Sequence, residues 1–80
     1  MDDLEIVKRI GELAEEEHHL EDSHEGSPLD ESELARLRAI EVALDQCWDL
    51  LRQRRARRAA GQDPDAAAVR PESVVEGYQQ

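Results

Sequence analysis

The run from Leu34 to Leu51 carries more apolar surface than one neighbouring helix covers. Leu34, Leu37, Leu44, Trp48 and Leu51 make one seam, interrupted by Glu41, and Ile40, Ala43, Cys47 and Leu50 make a second. At about 100° per residue the two seams together span roughly 200° of a helix. A helix in a simple hairpin needs a stripe of somewhat over ~100°. The surplus has to be covered, and the chain has only 80 residues to do it with. Chains this short form marginal cores, and their usual remedies are disulfides, a metal or self-association. Cys47 is the single cysteine, which excludes an internal disulfide, and no cysteine-rich metal spacing occurs. Association is the remedy that remains.

The rest of the chain supplies one further long helix. Ile6, Ile10, Leu13, Glu17 and Leu20 recur by fours and threes, so they share a face, and Leu4, Val7 and Ala14 widen it. Helix one is expected over residues 3–21, with Asp2 or Asp3 capping its first turn. Gly26 and Ser27–Pro28 then mark a turn over 22–29. Helix two is expected over 30–60. Ser27–Pro28 offers one start, and Asp30 with Glu33 offers a capping box one turn later. Gly61 is placed to end that helix in a left-handed conformation. Residues 61–80 form a C-terminal tail in which Asp63–Pro64 and Pro71 each offer a helical start. Val69, Val74, Val75 and Tyr78 are an apolar set for docking, and the competing expectation is an acidic tail without fixed structure.

These elements predict an all-α protein: an antiparallel two-helix hairpin with a long second helix over 1–60, followed by a tail with helical turns. Folding back near Gly26 sets Leu13 by Leu37, Ile10 by Ile40, Ile6 by Leu44 and Leu4 by Trp48. Helix one then covers the first seam. The second seam, Ile40, Ala43, Cys47 and Leu50, is expected to meet the same seam of another copy, giving a homodimeric, coiled-coil-like four-helix bundle with two-fold symmetry. The competing expectation is that the tail covers that seam within one chain.

Charge divides along the chain. Residues 1–33 hold thirteen acidic and two basic side chains, whereas residues 34–60 hold three acidic and seven basic ones. Five of those basic residues, Arg52, Arg54, Arg55, Arg57 and Arg58, crowd into "RQRRARR", although the net charge of the chain is -10. A nucleic-acid accessory role through these arginines is one reading. Against it stand the acidity of the remainder, the lack of interleaved aromatics, and arginines that project all round the helix. The favoured reading is electrostatic and structural: cations suit a helix C-terminus, and the hairpin brings them close to Asp2, Asp3 and Glu5. Asp63 and Asp65 of the tail can also reach back. A third reading makes acidic helix one a decoy for a basic partner.

Nothing in the sequence supports an enzyme or a cofactor. His18 and His19 point about 100° apart on a helix, and with His24 they do not make three convergent ligands. Asp22, Ser23, His24 and Glu25 carry the letters of a triad without a pocket. Cys47 lies in an apolar seam, far from the histidines, where a thiol is unreactive. The glycines are isolated, so no phosphate loop forms. No stretch approaches the roughly 18 apolar residues of a membrane span, and the opening residues lack a signal core, so a soluble cytoplasmic protein is expected.

The runs "IVKRIGELAEEEHHL" and "LRAIEVALDQCWDLLRQRRARRAAGQDPDAAAVRP", with "VVEGY" after them, resemble a family of short actinobacterial proteins known as domain of unknown function 2630. The resemblance covers nearly the whole chain. "LDQCWDLLRQRRA" followed by "DPD" and "VRP" is its most specific part. It implies a small helical protein with no assigned activity and carries no functional residues across. It also implies that the tail belongs to the domain. The function expected from the residues is non-catalytic: self-association and protein–protein interaction.

Overall fold

Two reciprocal caps set where the long helices begin. In the computed structural model, which describes residues 1–22 and 26–75, helix α1 spans Asp3–Asp22 and helix α2 spans Glu31–Ala59. Before α1, the Glu5 backbone N–H donates to Asp2 Oδ1 at 2.8 Å, and the Asp2 N–H donates to Glu5 Oε1 at 3.1 Å. Before α2, Asp30 and Glu33 repeat the arrangement at 2.8 and 3.2 Å, and the Ser32 hydroxyl adds a bond to Asp30 Oδ1. Each box satisfies two otherwise orphaned N–H groups. The later of the two starts read from sequence is therefore the one used, and Ser27–Pro28 stays outside the helix.

Helix α2 stops at a left-handed glycine. Gly61 has φ 73°, its N–H reaches Arg58 O at 3.1 Å, and the Gln62 N–H reaches Arg57 O at 2.8 Å. That pair of bonds is a Schellman motif. The chain then turns back along α2. Asp63 accepts from the Asp65 N–H and opens a 3-10 turn over Pro64–Ala66, and a one-turn helix, α3, follows at Glu72–Val75. No strand occurs among the described residues. Expectations that concern Ser23, His24, Glu25 and Tyr78 lie outside the described residues.

The core is small. Ile6, Leu13, Ile40, Leu50, Leu51 and Val75 are its buried apolar members. Each such side chain contributes about 1.5–3 kcal/mol by leaving water. Ile6 packs with Leu50 and Leu51, and Ile10, Cys47 and Ala67 close around them. This pairing corrects the register expected from sequence, which set Ile6 by Leu44. The helices are slid by about two turns, because the connection runs on through Asp30 and moves the fold point towards α2.

The slide also reverses which seam is enclosed. Ile40 and Leu50 of the second seam are buried within the single chain, with Ala43 and Cys47 half-buried. Of the first seam, Leu51 is buried, Leu37 and Leu44 are half-buried, and Leu34 and Trp48 remain 39% and 46% exposed. Leu4, expected beside Trp48, is exposed as well. The body measures 50 × 24 × 19 Å with a radius of gyration of 14.9 Å. A compact chain of this length would have about 12 Å.

Candidate interaction surface

Helix α2 presents three sides, each with a different fate. The side towards α1 carries Ile40, Cys47, Leu51, Arg54 and Arg58 at about 100° per residue. The side towards the tail carries Gln46, Asp49, Leu50 and Gln53. The third side carries Leu34, Leu37, Leu44 and Trp48, and no element of the chain lies over it to the extent of burying Leu34 or Trp48.

At the α1 side the arginine run finds its acids. Arg54 donates to Asp3 Oδ1 at 2.5 Å, and Arg58 donates to Asp3 Oδ2 at 2.5 Å. Arg54 also reaches Asp65 Oδ1 at 2.9 Å and the Pro64 carbonyl at 3.2 Å, so one buried guanidinium joins α1, α2 and the tail. Hydrogen bonds from Arg58 and then Arg54 hold the Asp3 carboxyl down from 3.8 to about 2. Arg52 and Arg55 are exposed and Arg57 is half-buried. The five arginines therefore do not act as one patch: two of them are committed to Asp3. Farther along, Arg36 grips Glu16 through two bonds of 2.5 and 2.7 Å, which pulls that carboxyl's pKa down.

The tail side is polar and buried. Asp49 has no exposed surface, and Arg70 meets it with two hydrogen bonds, the one from Nε at 2.9 Å. Gln53 Nε2 bonds both Asp49 Oδ2 at 2.9 Å and the Ala68 carbonyl at 2.8 Å, and Gln46 Nε2 bonds the Arg70 carbonyl at 3.2 Å. The Arg70 bonds, assisted by Gln53, outweigh burial and keep the Asp49 carboxyl below its ordinary range. A buried charge left without its partner costs about 3–5 kcal/mol, so Asp49 needs Arg70 in place. Sequence reasoning missed this pair. Its signal was an acid set among apolar residues in "WDLL" and the one basic residue of an acidic tail.

Elsewhere the residues singled out for chemistry are ordinary. His18 pairs with Asp22 at 3.0 Å on an exposed helix end. Among the described residues no group of three or more His, Cys, Asp or Glu side chains is placed to hold a metal ion. Burial pushes the Cys47 thiol up, away from the reactive thiolate. No helix among the described residues is long and apolar enough to cross a membrane.

The uncovered side extends onto α1. With Ile6, Ile10 and Leu13 turned towards α2, the flank of α1 carrying Val7, Gly11 and Ala14 lies about 100° round. In this antiparallel pair that flank falls on the same broad side of the hairpin as Leu37, Leu44 and Trp48. Val7 is 53% exposed, and a methyl group added at Gly11 would meet nothing within 4 Å. Trp48 and Val7 thus share an apolar side bordered by Arg52 and Arg55 at one end and Glu21 at the other.

Comparison with known proteins gives relatives of the same kind. The chain is 51% identical over 77 residues to the uncharacterized protein Mb0922c of Mycobacterium bovis, covering 95% of this chain and 88% of that one. It is equally similar to the uncharacterized proteins MT0921.1 and Rv0898c from two strains of Mycobacterium tuberculosis. No solved structure matches. The family model described as protein of unknown function (DUF2630) matches residues 2–80, tail included, and the chain belongs to that family.

Proposed function

We propose that this protein is a non-catalytic helical module that works by self-association and by presenting a charge-polarised surface to protein partners. The observation that carries the reading is the uncovered apolar side of α2, where Trp48 and Leu34 stay open while Ile40, Leu50 and Leu51 are buried within the chain. Exposed tryptophan beside leucine, rimmed by arginine, is the composition that anchors protein interfaces. The surface lacks the concave, convergent polar groups that a small-molecule site requires. The nucleic-acid reading loses support where Arg54 and Arg58 are already bound to Asp3. Light scattering of the full chain over a dilution series tests the proposal. A mass of two or more chains at tens of micromolar supports it, and a monomer throughout that range overturns it.

A further inference from the structure

The carboxylate that interrupts the open seam of α2 has a counterpart in the same line. Glu41, Trp48 and Arg55 follow one another at intervals of seven residues, and all three are exposed. Seven residues bring a helix back to within about 20° of the same direction, so the three side chains stand along one line. That line points away from α1, which packs through Ile6 on Leu51, and away from the tail, which is bound at Asp49 and Gln53. It carries a carboxylate at one end, a cation at the other and a ring midway. Such a line is complementary to its own reverse.

We propose that a second copy of this chain covers the Trp48 line, with the two α2 helices antiparallel about a two-fold axis that passes by Trp48 at right angles to them. The axis lies in the plane of contact, lays α2 over α2 and reverses its direction. Residues equally far from Trp48 on either side then face one another. Trp48 meets its own copy, where paired aromatic rings add to the area they bury. Leu44 lies under the methylene stem of the second copy's Arg52, and Leu37 faces Ala59. Glu41 of each chain meets Arg55 of the other, so the charge pair forms twice. The pairing of Ile6 with Leu50 and Leu51 sets Val7 level with Trp48, so Val7, 53% exposed, comes beside its own copy.

The competing arrangements leave Glu41 without a cation. A two-fold axis along the hairpin, midway between its helices, lays α2 over the second copy's α1, where Glu41 faces the flank of Gly11 and Ala14. A parallel pairing of the two α2 helices sets Glu41 against Glu41 and Arg55 against Arg55, which complementary interfaces avoid. A carboxylate closed into an apolar contact needs a paired cation, and of these arrangements the antiparallel one supplies it from the seam itself. The shared stretch from Leu37 to Ala59 is about 33 Å long at 1.5 Å per residue. On a body 24 Å wide this offers about the 800 Å² that each partner contributes to an interface of standard size. The pairing rests on the self-association reading above, which supplies the partner but neither its line of contact nor its direction.

Substitutions in the full chain, read by sedimentation equilibrium and light scattering, separate these claims. Trp48→Glu sets two carboxylates face to face on the axis and is expected to raise the dimer dissociation constant about a hundredfold. Circular dichroism should show the helices of this variant intact, because Trp48 is not part of the buried core. Glu41→Arg and Arg55→Glu change exposed positions, and each creates two like-charge contacts per dimer. Each is expected to weaken association roughly tenfold. The double variant Glu41→Arg/Arg55→Glu re-forms both pairs and returns to near wild-type strength. An equimolar mixture of the two single variants also re-forms both, one chain supplying the cations and the other the carboxylates. Within one helix the two positions lie about 21 Å apart, so neither rescue comes from inside a chain. A wild-type monomer overturns the self-association reading and the pairing with it. A wild-type dimer unmoved by Trp48→Glu overturns the line of contact. Weakening by Trp48→Glu without weakening by either charge variant, or without recovery in the double variant, overturns the antiparallel register.

Discussion

Two sides of α2 solve the same problem in opposite ways. On the tail side, a tethered segment covers the helix, and a buried Asp49–Arg70 pair with two glutamines fixes where that segment lies. On the Trp48 side the surface is apolar, and Leu34 and Trp48 remain open. A segment that is always present can be positioned by polar bonds, because its effective concentration is high and desolvated charges are never left unpaired for long. A side that no tethered segment of the chain holds closed is safer without buried charge. The contrast explains why the helix has two seams and why only one of them is closed within the chain.

Arg70→Ala should produce the largest change on the tail side. It strands Asp49 in a site with no solvent exposure, and we expect a loss of about 3 kcal/mol in denaturant titration. Changing both members, Asp49→Leu with Arg70→Met, should recover most of that loss, whereas a purely additive result would mean the pair is not coupled. Ile6→Ala removes the residue at the centre of the core cluster and should cost about 3 kcal/mol by the same measurement. The same reasoning applies to Leu50→Glu. With Leu50 buried beside Ile6, that substitution should unfold the hairpin rather than merely divide an assembly.

Acidification should loosen the ties that hold the α1 end. Asp3 is lowered from 3.8 to about 2, so its stabilising contribution is complete above its ordinary pKa and is lost as pH falls from about 4 towards 2. Asp49 is lowered as well and acts in the same direction. Thermal midpoints should therefore fall across that window, and Asp3→Asn should flatten the part of the slope that Asp3 supplies. The smallest expected effect is at Gly61. With φ at 73° and open space around it, Gly61→Ala carries only the backbone cost, about 1 kcal/mol.

The helices were legible in the sequence because their signals are local. Leucine and isoleucine spacing gave the faces, and Asp30 with Glu33 and Gly61 gave the ends of the second helix. The register was not legible. Sliding one helix by about two turns returns nearly the same residues to the interface, so apolar spacing cannot choose between the two positions. The length of the connection chooses, and that depends on which of two caps is used. Which seam stays open was hidden for the same reason. It follows from the slide and from the path of the tail, which Asp49 and Arg70 determine across 21 residues of sequence. A buried polar pair of that kind leaves only a faint trace, an acid in an apolar stretch and a lone arginine in an acidic one. The committed state of Arg54 and Arg58 was nearer the surface of the sequence, since an arginine-rich helix end folding back on an acidic helix start has little alternative.

Trp48 is the single tryptophan and stands at the centre of the open side, so its fluorescence tests the central claim most directly. As the chain is concentrated from the nanomolar to the tens-of-micromolar range, emission should shift to the blue and acrylamide quenching should fall, in step with the mass from light scattering. An emission maximum and quenching constant that stay fixed while the mass doubles would place the interface elsewhere and contradict the account.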